Sequence, residues 1–246
     1  MKTGGEYLFT VRTYECGADA SATLPSILNY LQEAASLNAS ALKFSKTDFE
    51  NGGENISWVL ARLRIEMERY PEWGDTVKIA TFPRGGRRIV AWRDFSLETA
   101  AGVRLGAASS EWMLIDLAAR KTVPVPESVL ALADVECAPV LGDAPFTAKI
   151  RFPTPATPAG EGDALRFRTL HSGIDMNGHV NNVHYAEWLL EPFAGRRPAS
   201  FEIVFRSESA AGETVSVETA AAPDGASLSR VLSSDGRERA VAKIAF

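Results

Sequence analysis

The chain has 246 residues, enough for one large domain or two small ones, each with its own core. A hydrophobic share of 46% and a charged share of 23% are ordinary for a globular protein, and no apolar run of about 18 residues offers a membrane span. The net charge of −5 argues against nucleic acid as the main partner, and Cys16 and Cys137 match no metal spacing.

The start of the chain lacks the basic and apolar regions of a signal peptide, so a reducing cytoplasm is the expected location. A strand is expected over 7–14. A helix follows over 25–42, with Thr23 as N-cap and Pro25 in its first turn, because Leu24, Ile27, Leu28, Leu31, Ala34 and Ala35 recur at helical spacing. Strands are expected over 57–68, 76–82, 88–99 and 103–116, separated by glycine-containing turns. From Arg62 to Arg93 there are eight basic residues (Arg62, Arg64, Arg69, Lys78, Arg84, Arg87, Arg88 and Arg93) against four acidic ones (Glu66, Glu68, Glu72 and Asp75), a balance of +4. That stretch reads either as a sheet edge protected by charge or as a docking surface for an acidic partner.

Seven prolines lie between 124 and 162, which suits an interdomain crossover with one short helix near 128–133. The pattern then repeats: a strand over 164–170, a polar motif, a helix over 181–193, and strands over 200–206, 214–220, 227–232 and 238–246. Gly74-Asp75-Thr76-Val77 in the first half is echoed by Gly212-Glu213-Thr214-Val215 in the second. One helix and an antiparallel sheet, twice over, is an α+β architecture. The expectation is a double hotdog, two tandem units associating as a pseudo-dimer: an N-terminal unit over 1–123 around an acyl-sized pocket, a crossover over 124–162, and a C-terminal unit over 163–246 carrying the motif.

That motif runs Asp175-Met176-Asn177-Gly178-His179-Val180-Asn181-Asn182-Val183-His184-Tyr185. In an extended segment Asp175, Asn177 and His179 share one face, and the following helix would aim free N–H groups at the same place. A carboxylate, an amide and an imidazole beside such donors suit hydrolysis of an activated acyl group. Blander readings exist for each: His179 as a structural histidine, Asn177 and Asp175 as turn or cap residues, and Asn181 or Asn182 as the helix cap, which is preferred for those two. His171 and His184 have no partners at suggestive spacing, and Ser109-Ser110 lacks a nucleophile elbow.

The motif, with Trp188 and Glu191 beyond it, resembles the active-site string of the acyl-ACP thioesterases of plants and bacteria, which are double hotdogs. Trp58-Val59, Gly74-Asp75, Arg93-Asp94-Phe95, Ser110-x-Trp112, Asp116 and Arg120 extend the likeness over most of the chain. The family has a glutamate, often followed by a cysteine, after the strand beyond the motif helix. Here that segment is Phe205-Arg206-Ser207-Glu208-Ser209, so a cysteine nucleophile at that position does not apply. The resemblance implies catalytic roles for Asp175, Asn177, His179 and Glu208, no metal or organic cofactor, and an acyl carrier protein bearing acyl-phosphopantetheine as partner. It leaves a homodimer open, along with the exact chain length and saturation of the acyl group. Rival readings are an acyl-CoA thioesterase, a hotdog hydratase or dehydratase, and a non-catalytic acyl-binding protein. Competition between one acyl group on both carriers separates the first, and thiol release from any acyl thioester removes the last.

Overall fold

The computed structural model describes residues 3–133, 137–147, 149–153, 165–175 and 178–246. These divide into two compact units, Met1–Pro145 and Phe146–Phe246.

In the first unit, β1 (Gly5–Thr10) leads through a 3₁₀ turn (Thr13–Glu15) into helix α1 (Leu24–Ala41). The Thr23 hydroxyl accepts the Ser26 N–H, as expected of an N-cap, and Pro25 costs nothing where the amide would be unpaired. A short helix α2 (Lys46–Asn51), with Ser45 and Asp48 forming a capping box, was not foreseen because six residues are too few to show a period. Strands β2 (Ile56–Met67), β3 (Thr76–Arg87), β4 (Val90–Thr99) and β5 (Arg104–Asp116) follow, then a short β6 (Lys121–Val123) and helix α3 (Glu127–Leu130). The order across this sheet is β1-β3-β4-β5-β2, every pair antiparallel, with β6 on β5.

Strand β3 does not stop at Phe82, where the proline that follows suggested an end. It continues through an irregularity between Pro83 and Gly86, which is how a strand tolerates a residue with no N–H to give. A Cβ at Gly86 would lie 2.2 Å from the Val90 carbonyl oxygen, so only glycine lets the two strands approach there. Helix α1 buries Leu24, Ile27, Leu28, Tyr30, Leu31, Ala34 and Ala35, with Ile65, Ile79 and Phe95 of the sheet fully buried in the same unit. Each such large aliphatic or aromatic side chain contributes about 1.5–3 kcal/mol on leaving water. Val125 and Val129 from the proline-rich stretch pack on Ala91 and Trp58, so part of that stretch belongs to this core.

The second unit contains β7 (Leu165–Arg168), a 3₁₀ turn (His171–Gly173), helix α4 (Asn182–Leu190), then β8 (Ser200–Phe205), β9 (Thr214–Ala221), β10 (Ser227–Ser233) and β11 (Glu238–Ala245). Its order is β7-β9-β10-β11-β8, again all antiparallel. Counting strands within each unit, both sheets read first-third-fourth-fifth-second, with the long helix between the first two strands. The four-residue echo has the same role in both. Gly74 (φ +86°) and Gly212 (φ +80°) turn the chain, and the next residue's carbonyl accepts an N–H from just beyond the unit's first strand. These bonds are Val11 to Asp75 at 2.9 Å and Thr169 to Glu213 at 2.8 Å. Shared topology and shared turn bonds make the repeat a feature of the fold as well as of the sequence.

Candidate active site

Asp175 and His179 do not lie along one strand face. Ile174 and Val180 form an antiparallel bridge, inside which the Asp175 N–H donates to the His179 carbonyl at 2.8 Å and the Gly178 N–H to the Asp175 carbonyl at 3.0 Å. Gly178, at φ +81°, supplies the left-handed residue that reverses the chain. Asp175 and His179 therefore meet across a turn, not along one strand face. The Asp175 carboxylate also lies 3.4 Å from the His179 N–H. Asn177 lies outside the described residues.

Directly after the turn, Asn181 is the N-cap of α4, its side-chain oxygen accepting the Val183 N–H at 3.0 Å. The His184 N–H goes to the Asn181 carbonyl at 3.0 Å. Two of the helix-start amides expected to face a substrate oxyanion are thus already engaged by the cap.

Glu208 lies just beyond β8, and its carboxylate Oε2 is 3.1 Å from His179 Nε2. Both side chains keep partial access to solvent, 26% for His179 and 31% for Glu208, so the pair is reachable by water and by a ligand. What brings the β8 end against the turn is a short relay of backbone bonds. The Ser209 N–H donates to the Tyr185 phenol oxygen at 2.7 Å, and the Ser209 carbonyl accepts the Val180 N–H at 3.4 Å. Tyr185 is buried in α4 with Trp188 at 5.3 Å and Phe205 at 5.8 Å between ring centres, both edge-on. Burial raises the Tyr185 phenol above its usual range, partly offset by neighbouring Ser209. The Ser209 hydroxyl is buried and has no hydrogen-bond partner among the described residues.

Tyr185 is the residue that sequence reasoning passed over. It stood in the quoted string, but nothing in the sequence says that its oxygen reaches a residue 24 positions later.

The first unit holds the counterpart of this turn without its chemistry. Cys16 and Ala22 form the matching bridge, Gly17 N–H donates to Ser21 carbonyl at 2.9 Å, and Ala20 N–H to Gly17 carbonyl at 3.0 Å. Thr23 caps α1 there as Asn181 caps α4. Gly17, Asp19 and Ser21 thus stand where the second unit has Asp175, Asn177 and His179. No imidazole is available in that turn, and its carboxylate, Asp19, accepts the Ser21 N–H at 3.3 Å.

Of the other histidines, His184 pairs through Nδ1 with Glu187 at 2.6 Å on the exposed side of α4, and His171 sits exposed in the 3₁₀ turn. The Glu187 hydrogen bond raises His184 above the ordinary imidazole value. Because its folded value is raised, the stabilisation from this pair is complete below the unfolded value and is lost as pH rises through the folded one. NMR titration should therefore find His184 higher than a free imidazole, and Glu187→Gln should lower it with no change in turnover. No group of His, Cys, Asp and Glu among the described residues could hold a metal ion.

The first unit also contains a mostly apolar cavity of about 90 Å³. Its wall includes Ala35 and Ala39 of α1, Leu42 just beyond it, Trp58, Trp112 and Val129, and Arg93 is its one charged lining residue.

Residues 6–133 match the family model for the acyl-ACP thioesterase N-terminal domain, and residues 157–246 that for the C-terminal domain. The chain is 32% identical over 198 residues to an oleoyl-acyl carrier protein thioesterase from Arabidopsis thaliana, covering 74% of this chain and 53% of that one. It is also 32% identical over 192 residues to a palmitoyl-acyl carrier protein thioesterase of the same plant, covering 74% and 45%. The chain thus spans about half the length of the curated relatives it matches. Among solved structures, an acyl-ACP thioesterase from Bacteroides thetaiotaomicron superposes with a TM-score of 0.82 at 23% identity, covering 98% of this chain and 97% of that one. A 12:0-ACP thioesterase from Umbellularia californica gives the same score and identity over 99% and 97%. At that identity the two structures speak to the double hotdog fold alone.

Proposed function

Since this chain belongs to the acyl-ACP thioesterase family, we propose that it hydrolyses the thioester between a fatty acyl group and acyl carrier protein, releasing free fatty acid and the carrier thiol. The observation that carries the reading is the His179–Glu208 pair at 3.1 Å, set beside the Asp175 turn and partly open to solvent. In the proposed reaction a water oxygen attacks the acyl carbon. Its proton passes to the His179–Glu208 pair, the C–S bond breaks, and the proton leaves with the pantetheine thiolate. Asp175 holds the turn that carries His179, and the Asn177 amide is our candidate for the acyl oxyanion, since the cap occupies the Val183 amide. A covalent route through the Asp175 carboxylate is the second possibility. Rapid-quench single turnover read by protein mass separates them, because only the covalent route places the acyl group on Asp175 before free acid appears.

The deciding experiment measures thiol release from one acyl group presented on acyl carrier protein and on CoA in competition. Carrier-independent turnover would favour the acyl-CoA reading, and no release from either would end the hydrolase reading. We assign the acyl chain to the cavity of the first unit, on its apolar wall of Trp58, Trp112 and α1 residues.

The basic stretch is mostly committed elsewhere. Lys78 pairs with Glu98 at 2.8 Å, and Arg84 reaches Asp94 and the Cys137 carbonyl. Arg64 is tied to Glu66 and the Pro145 carbonyl, and Arg93 lines the cavity. Arg87 and Arg88, at the β3–β4 tip, are exposed. We therefore assign carrier docking to these two: Arg87→Glu with Arg88→Glu should raise KM for acyl-ACP by about tenfold and flatten its salt dependence, with kcat little changed. An unchanged KM moves the docking surface elsewhere. The two thiols, Cys16 and Cys137, suit a reducing compartment such as the cytoplasm, although the named plant relatives are chloroplastic. No helix among the described residues is long and apolar enough to cross a membrane.

A further inference from the structure

Arg93 is a cation without an anion. Its Nη1 donates to the Asn38 side-chain oxygen at 2.7 Å and to the Thr81 hydroxyl at 3.1 Å. No carboxylate among the described residues pairs with it, and Asp94, the next residue along the strand, is turned to Ser109, Val140 and Arg84. Nε and Nη2 have no hydrogen-bond partner among the described residues. Among the described residues, the fully enclosed unpartnered side-chain atoms are Arg64 Nε, Ser209 Oγ and Ser229 Oγ, so these two nitrogens of Arg93 are not sealed off. They sit on a residue that lines the cavity.

A half-buried guanidinium with no carboxylate beside it gives up part of its hydration, and its planar fork matches a carboxylate in a bidentate pair. Burial pulls Arg93 down to about 10, so it keeps its charge at neutral pH. Apart from Ser36, the remaining lining carries no polar aliphatic side chain, and Ala35, Ala39, Leu42, Trp58, Trp112 and Val129 are among its apolar residues. Charge at one point and hydrocarbon around it define an amphiphile.

We propose that the first unit's cavity is a binding site for an aliphatic carboxylate, with the carboxylate on Arg93 Nε and Nη2 and the chain along the α1 and tryptophan wall. This rests on the assignment of the cavity to an alkyl chain and not on the hydrolytic chemistry. Two sources supply the same group: a released fatty acid, which would then compete with substrate, and an acyl thioester whose far end carries a second carboxylate.

Binding is measured on the full chain carrying His179→Ala, so that no turnover is needed and failure of the hydrolase reading leaves the result intact. Octanoate should bind at least tenfold more tightly than methyl octanoate, and Arg93→Met should remove that difference while Arg93→Lys keeps part of it. Ala39→Phe, which fills the cavity and leaves the guanidinium in place, should abolish binding of both. If Arg93→Met fails to fold, the acid-against-ester comparison and Ala39→Phe still decide. Equal affinity for acid and ester, or acid binding that survives Ala39→Phe, overturns the proposal. The sources are told apart on the active protein. Competitive inhibition by octanoate identifies the free acid, and a lower KM for the ω-carboxyoctanoyl than for the octanoyl pantetheine thioester identifies the substrate.

Discussion

His179→Ala and Glu208→Ala should each lower turnover of an acyl-ACP by about 10²–10⁴-fold, the range typical of a positioned acid or base. The two side chains are 3.1 Å apart and are proposed to act as one proton acceptor. The double variant should therefore lose far less than the product of the single losses, since either change alone disables the unit. Both are partly exposed, so thermal melts should shift little, which separates lost chemistry from lost fold. Ser209→Ala is the control on the same loop. Its hydroxyl is buried and has no hydrogen-bond partner among the described residues, so Ser209→Ala should change neither melting nor turnover by much. The opposite pattern, Ser209→Ala inactive and Glu208→Ala near normal, would require a serine nucleophile and would sink the assignment.

Tyr185 should show two separable effects. Tyr185→Phe keeps the ring between Trp188 and Phe205 but removes the acceptor for the Ser209 N–H. A buried donor left without a partner costs about 1–3 kcal/mol. Loosening Ser209 also frees its neighbour Glu208, so kcat should fall by about tenfold or more with KM little changed, and the pH dependence of kcat should move. Tyr185→Ala adds a cavity in the packing of α4, and about 3–5 kcal/mol of stability should go with the ring, enough to threaten folding. If Tyr185→Phe lowers the melting temperature but leaves kcat and its pH profile intact, the phenol only holds the fold.

Much of this architecture could be read from residue order. The spacing of Leu24, Ile27, Leu28 and Leu31 identified α1, and Thr23 marked its start, because both signals are local. The echo of Gly74 and Gly212 pointed to the repeat for the same reason: a left-handed turn residue is required at both. Two things stayed hidden. Helix α2 is too short for a period to register, and β3 passes Pro83 only because the bulge and Gly86 accommodate it, which is a property of its neighbours. The site was legible as a set of residues but not as a shape. Asp175 and His179 meet because Gly178 reverses the chain, whereas alternation along a strand was the local expectation. The dependence of Glu208 on Tyr185 is non-local and has no sequence signature.

The paired turns are held by main-chain amides and carbonyls, with a cap residue behind them, in both units. Their shape consequently places almost no demand on the side chains they display. One copy shows Gly17, Asp19 and Ser21, the other Asp175, Asn177 and His179, and the same loop closes either way. Such a mount can lose its chemistry in one copy without unfolding it, which frees that half of the molecule to be reshaped around a ligand while the other half keeps the reaction. Division of labour between duplicated halves then requires no new architecture, only relaxed selection on a handful of displayed groups.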